Sequence, residues 1–262
     1  MDISSIKFAP SRSEALSAEE LYLFDTMGFV RIPGFLSREV VDACRSEVIR
    51  LPSRRMEGRG DKERFDDLVS RSSHFDDFAR SEGILGCVEP VINQPLRLIE
   101  SYALRREGDS IFYLHNGNSE TLHYGENRSA QRNMSLNHTF HDGKIFCMFV
   151  KVLVYLSDVR KQDDGPFCYL QGSHKANLPW FRDPESAEAR PALTRQNFPS
   201  LDHTLVDAGD ALLLNEALLH GTLPKASEGE RLVLAFSYAP AFVTDWKEID
   251  KRSTDIAKLG HY

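Results

Sequence analysis

Hydrophobic positions along the chain fall into two textures that change near residue 95. Upstream the spacing is helical. Ser17 with Glu20 three residues later forms a capping-box pattern, Leu21 and Phe24 supply an apolar stripe, and Gly28 closes a short helix. FVRIP (29–33) reads as a strand. Ser37 then reads as the N-cap of a second helix whose Val40, Val41, Cys44 and Val48 share one face. Residues 52–80 are densely charged and predict solvated helix and loop. Downstream the texture is that of strands. Leu96 to Arg106 is one, and Ile145 to Leu156 is almost uninterrupted in apolar residues, as for a strand buried on both faces. Gly165-Pro166 marks a turn before FCYL. HTLVD, a Gly209-Asp210 turn, ALLLN and the run from Arg231 to Pro240 follow.

Many short strands with turn signals, after N-terminal helices, predict a mainly β sandwich or barrel with a helical flank. No internal repeat or low-complexity linker interrupts the chain. Residues 1–262 therefore read as one catalytic domain, with the flank over about 1–94 and the β core over about 95–240.

Composition narrows the partners. With 41% hydrophobic residues the chain is too apolar for disorder. No run approaches the roughly 18 apolar residues of a membrane span, and the N-terminus lacks a secretory pattern, so a cytoplasmic protein without a membrane partner is expected. A net charge of -7 argues against a nucleic-acid polymer as partner. Cys44, Cys87, Cys147 and Cys168 lack C-x-x-C spacing and read as buried small hydrophobes.

The chemistry concentrates near the C-terminus. A non-haem iron oxygenase needs two imidazoles and usually a carboxylate on one face of the metal, and a cation for the far carboxylate of 2-oxoglutarate. GDALLLNEALLHGTLPKASEGERLVLAFSYAP supplies His220 just after a strand and Arg231 at the start of the next, with ten residues between them. Taken alone, a loop histidine and a strand-capping arginine would explain the pair equally well.

The surroundings decide between these readings. FDTMGFVRIPGFLSREVV, VLVYLSDVRKQDDGPFCYLQGSHK and GDALLLNEALLHGTLPKASEGERLVLAF, in that order, resemble the phytanoyl-CoA dioxygenase family. The resemblance implies a double-stranded β-helix (jelly-roll, cupin-like), Fe(II), 2-oxoglutarate and O2. It makes His220 the distal iron ligand and Arg231 the 2-oxoglutarate residue. His174 of the Gly-Ser-His-Lys segment reads as a structural turn residue.

One family feature is missing. The His-x-Asp expected ahead of the central strand is absent, and His74-Phe75-Asp76 lies too early to serve. In the expected window stand His115-Asn116-Gly117 and His123-Tyr124-Gly125. His123 is preferred as the proximal ligand with His115 as its alternative, and Gly125 or Gly117 then marks the vacant carboxylate position. His138 and His141 read as core or loop histidines. A glycine there leaves room for chloride, as in iron-dependent halogenases, so chlorination of an unactivated C–H bond is the first expectation. Hydroxylation comes second, with a carboxylate from Asp142, Glu120 or Glu126, or with water as the third ligand. A non-catalytic ligand-binding domain comes last, since it would have no need of His220 and Arg231.

The expected substrate is a small molecule. Arg128 and Arg132, with Arg105 and Arg106, could form an anion site for a nucleotide or other phosphorylated compound, although solvated strand-end charges are the commoner case. Residues 115–142 and 176–200 are the expected lids, where Trp180 could stack on a flat substrate.

Overall fold

Ser17 opens the first helix as its spacing predicts. Its hydroxyl accepts the Glu20 amide and the Glu20 carboxylate accepts the Ser17 amide, which caps α1 (Ala18–Met27). Gly28 ends the helix at φ 80°, in the left-handed region, and turns the chain into β1 (Phe29–Ile32). Ser37 caps α2 (Arg38–Arg50), which buries Val41, Ala43, Cys44 and Val48. The structure is a computed structural model describing residues 6–58, 60–116, 138–176 and 191–243.

The charged stretch 52–80 departs from expectation. It contains β2 (Arg54–Arg55) and β3 (Asp61–Asp66) before the short helices α3 (Leu68–Arg71) and α4 (Ser73–Ala79), and α5 (Glu82–Ile92) follows it. Its charges are answered across the sheet rather than by water alone. Glu63 pairs with Arg105 at 2.7 Å, and Arg64 reaches Glu100 at 2.5 Å on β4 (Leu96–Glu107). Opposite charges on facing strands stabilise a pairing that hydrophobic spacing does not reveal.

The remaining strands are β5 (Ser110–His115), β6 (His138–His141), β7 (Lys144–Cys147), β8 (Val150–Tyr155), β9 (Phe167–Leu170), β10 (Leu201–Thr204), β11 (Ala211–Asn215), β12 (His220–Lys225) and β13 (Arg231–Pro240). The apolar run 145–156 is thus two strands, broken at Met148-Phe149. The larger sheet has the order β1-β11-β8-β13-β4-β3-β2, and the smaller β10-β9-β12-β5, both antiparallel; β6 and β7 form a separate hairpin.

Period-two alternation explains why β8, β11 and β13 are apolar throughout. Val150, Val152 and Val154, with Leu232, Leu234 and Phe236, pack outward under the helices. Leu212, Leu214, Tyr155 and Val233 face the smaller sheet, where Phe29 meets Phe167 and Tyr169. This is the expected mainly β jelly-roll with flanking helices. All four cysteines are buried and unpaired. Among the described residues no helix is long and apolar enough to cross a membrane.

A buried polar knot fixes the turn from β11 to β12. Asn215 donates from its side-chain amide to His138 Nδ1 (2.7 Å), and His138 Nε2 donates to Asp25 (2.9 Å). His174 Nε2 donates to the Asp25 carbonyl (3.0 Å), and the neighbouring Ser173 hydroxyl accepts the Leu219 amide (2.8 Å). His174 therefore acts through the turn, as its sequence context suggests. Burial lowers its pKa to about 4, helped by the nearby charges of His138 and Lys175. Below pH 6.5 the unfolded chain binds a proton that the folded chain refuses, so this group's contribution is present above pH 6.5 and is lost as pH falls towards 4. The His174→Gln variant should lose less stability than wild type between pH 6.5 and 4. A shift of this size corresponds to at most ~3 kcal/mol, and urea midpoints at both pH values measure the difference.

Candidate active site

Strand β12 lies between β9 and β5, and its register sets His220 directly opposite His115. The ring centroids are 4.5 Å apart at an interplanar angle of 50°. Each ring is tied to a carbonyl two residues back: His220 Nδ1 donates to Leu218 (2.7 Å) and His115 Nδ1 to Tyr113 (2.8 Å). A carbonyl only accepts, so Nδ1 carries the proton in both rings and Nε2 keeps its lone pair. Burial pushes both pKa values below the ordinary histidine value, and His220 well below it, with His115 and Lys151 adding to the effect. Two neutral imidazoles held side by side could hold a metal ion.

The local sequence makes this possible through Gly221. A Cβ at that position would sit 2.6 Å from the Phe112 carbonyl oxygen and 3.0 Å from the Tyr113 carbonyl. Only glycine lets β5 approach β12 this closely beside the histidine pair.

Between the two sheets lies a cavity of about 170 Å³, lined by His115, His220, Thr222, Arg231, Lys151 and Arg64, with Tyr102, Phe112 and Phe167 among its apolar walls. Among the described residues no carboxylate lines it. Arg64 is answered by Asp66 and Glu100, and Lys151 by Glu216 at 2.8 Å. Arg231 differs. Among the described residues it has no carboxylate partner; it donates to the Tyr155 hydroxyl (3.1 Å), and its buried Nε has no hydrogen-bond partner. A buried guanidinium in that condition is a receptor for an anion. Thr222 stands two residues beyond His220 on the same strand face. Its hydroxyl accepts the Phe112 amide (3.0 Å), which leaves its own proton for a ligand in the cavity.

His220 and Arg231 thus meet in one cavity with His115. His123, Gly117, Gly125, Arg128, Arg132 and Trp180 lie outside the described residues, as do Glu120 and Glu126. Asp142 is exposed at the tip of the β6–β7 hairpin beside His141, away from the cavity. His74 stacks on Phe8 in the helical flank. The two arginines expected near an anion site have other partners. Arg105 pairs with Glu63 and Glu107, and fully buried Arg106 donates to the carbonyls of Ser110, Gly165 and Leu223. Among the described residues no cluster of three or more His, Cys, Asp or Glu could hold a metal. Thr222, Tyr155 and Lys151 were not singled out from sequence. Thr222 was within reach of the two-residue strand period, and Lys151 is a lone charge inside an apolar strand.

A family model described as phytanoyl-CoA dioxygenase matches residues 24–233. None of the curated proteins matches the chain. Among solved structures, HygX from Streptomyces hygroscopicus with nickel and 2-oxoglutarate bound is 46% identical, with TM-score 0.81, covering 95% of this chain and 96% of its own. HygX with nickel, 2-oxoglutarate and hygromycin B bound is 48% identical, with TM-score 0.80 and coverages of 92% and 94%. HygX with iron bound is 47% identical, with TM-score 0.77 and the same coverages.

Replacing Gly221 by alanine should push β5 away from β12 and cost ~1–3 kcal/mol, the range for overpacking a closely packed site. Urea unfolding measures this directly; an unchanged midpoint would mean that β5 gives way freely.

Proposed function

We propose that this chain, which belongs to the phytanoyl-CoA dioxygenase family and is an Fe(II)- and 2-oxoglutarate-dependent oxygenase, oxidises a C–H bond of a hydrophilic, amine-bearing small molecule. The observation that carries the reading is the facing His115–His220 pair, Nε2 lone pairs free, in one cavity with a guanidinium that has no carboxylate partner among the described residues. His115 and His220 are the imidazole ligands. Arg231, braced by Tyr155, receives the far carboxylate of 2-oxoglutarate, and Thr222 donates its hydroxyl proton to the same ligand. Iron, when bound, couples decarboxylation of 2-oxoglutarate by O2 to oxidation of the substrate. The protein contributes fixed neutral imidazoles, a preformed anion receptor and apolar walls that exclude water.

The substrate class rests on two features. The cavity of about 170 Å³ suits a small diacid, whereas an adjoining groove of about 960 Å³ shares Met56, Phe112 and His115 with it. That groove is lined by Glu57, Asp163, Gln162 and Thr194 with Lys62 as its one cation among the described residues, a polar set with more acidic than basic groups that suits hydroxyls and ammonium ions better than phosphates. Together with the net charge of -7 and the hygromycin B held by HygX, this favours a substrate of the aminoglycoside kind. The anionic substrate expected from sequence loses two of its four arginines, because Arg105 and Arg106 are already engaged.

Hydroxylation or a related oxidation is the first reading. Chlorination is the second, and one observation favours it. With His115 as the proximal ligand, the residue two positions on is Gly117, where the family pattern has aspartate.

Anaerobic titration of the Fe(II) protein with 2-oxoglutarate should produce a charge-transfer band that His115→Ala and His220→Ala abolish. Arg231→Met should weaken 2-oxoglutarate binding ~10–100-fold, as for a lost charge-assisted hydrogen-bonded pair. Turnover with hygromycin B as the first probe, read by product mass with and without chloride, separates oxygenation from chlorination. A wild-type protein with no band would overturn the reading.

A further inference from the structure

The cavity between the sheets has two ends that carry different cations. Lys151 and Tyr155 project on the same face of β8 four residues apart, about 13 Å along the strand at ~3.3 Å per residue. At one end Tyr155 braces Arg231. At the other the Lys151 ammonium lies 2.8 Å from the Glu216 carboxylate. Strand register agrees with this division. β11 ends with Asn215 opposite Val150, so the turn that leads into His220 begins beside Lys151, whereas β13 enters past Tyr155 with Arg231. Lys151 therefore belongs to the imidazole end.

Stability alone does not account for this pair. A buried ammonium and carboxylate commonly contribute no more than an apolar pair of the same volume. Glu216 is 1% exposed and Lys151 8%. Their contact is close, and an ammonium with three N–H groups and one carboxylate neighbour keeps others for a further partner. Lys151 lines the cavity and Glu216 stands behind it. Glu216 is itself fixed by its amide, which donates to the Phe149 carbonyl at 3.1 Å.

Resting on the reading that Arg231 takes the far carboxylate of 2-oxoglutarate, we propose that Lys151 binds the other carboxylate, the one next to the keto group. Glu216 is the positioning residue that keeps the ammonium charged and aimed. The diacid is then gripped at both ends by separate cations, and Lys151 sets how its 2-oxo-acid end is presented beside His115 and His220.

The two ends can be tested separately with 2-oxopentanoate, in which a methyl group replaces the far carboxylate of 2-oxoglutarate. The variant of choice is Lys151→Met combined with Glu216→Gln, because the double change leaves no buried charge unpaired. Binding of each 2-oxo acid is measured anaerobically on the Fe(II) protein by its charge-transfer band, and on the Ni(II) protein by calorimetry. The double variant should weaken 2-oxoglutarate and 2-oxopentanoate by a similar factor of at least ~10, a charge-assisted hydrogen bond's worth. Arg231→Met should weaken 2-oxoglutarate and leave 2-oxopentanoate unchanged. Lys151→Arg, which keeps the charge, should retain both ligands within a few-fold. Unchanged binding of both acids by the double variant, or a loss confined to 2-oxoglutarate, overturns the proposal. Failure of the wild-type protein to bind 2-oxoglutarate would instead overturn the functional reading beneath it.

Discussion

The close approach of β12 to β5 is the constraint on which the site depends. Glycine at 221 lets the Phe112 and Tyr113 carbonyls press against the strand that carries His220. That contact sets the register in which His115 and His220 face each other. The same backbone then supplies the carbonyls of Tyr113 and Leu218, which fix the tautomer of each ring. The spacing and the protonation of the two imidazoles are therefore both properties of one strand pair. The polar knot of Asn215, His138 and Asp25 fixes the turn leading into the pair from the other side.

Strand periodicity explains how polar chemistry survives inside a sheet buried on both faces. Along β8 and β13 one face packs under the helices and is wholly apolar. The other carries Lys151, Tyr155 and Arg231 into the space between the sheets. Charges on that face are tolerated because each is answered or reserved. Arg64 and Lys151 have carboxylates behind them, outside the cavity wall, so among the described residues the cavity presents cationic donors beside the two Nε2 lone pairs. Arg231 is the exception, and an uncompensated buried guanidinium persists where its partner is a ligand.

Much of this architecture was legible from residues. The Ser17 and Ser37 caps, the Gly28 stop, and the strands beginning at Leu96, Phe167, Ala211 and Arg231 stand where hydrophobic spacing and turn residues place them. That His220 and Arg231 share one cavity was legible because their separation in sequence resembles a family pattern. Strand β3 was not, since its pairing with β4 rests on charges whose partners are some forty residues away. The break at Met148-Phe149 was hidden because both halves of the run are apolar. The pairing of His115 with His220 depends on a register between strands distant in sequence, which one-dimensional spacing does not encode. Lys151 is the instructive miss, for a lone ammonium in an otherwise apolar strand already announces a buried partner or a ligand.

Charge counting links the site to its chemistry. Both imidazoles are neutral, and the Arg64 and Lys151 charges are balanced by their own carboxylates. In the proposed complex a divalent cation and the 2-oxoglutarate dianion cancel, which leaves Arg231 as the one cation lining the cavity without a carboxylate of its own among the described residues. One more anion at the third ligand position brings the buried site to neutrality, whereas a water molecule leaves the excess in a low-dielectric space. A carboxylate and a chloride ion satisfy this balance equally. Oxygenation and chlorination therefore place the same electrostatic demand on the protein, and they part only in whether the third anion stays with the enzyme or leaves in the product.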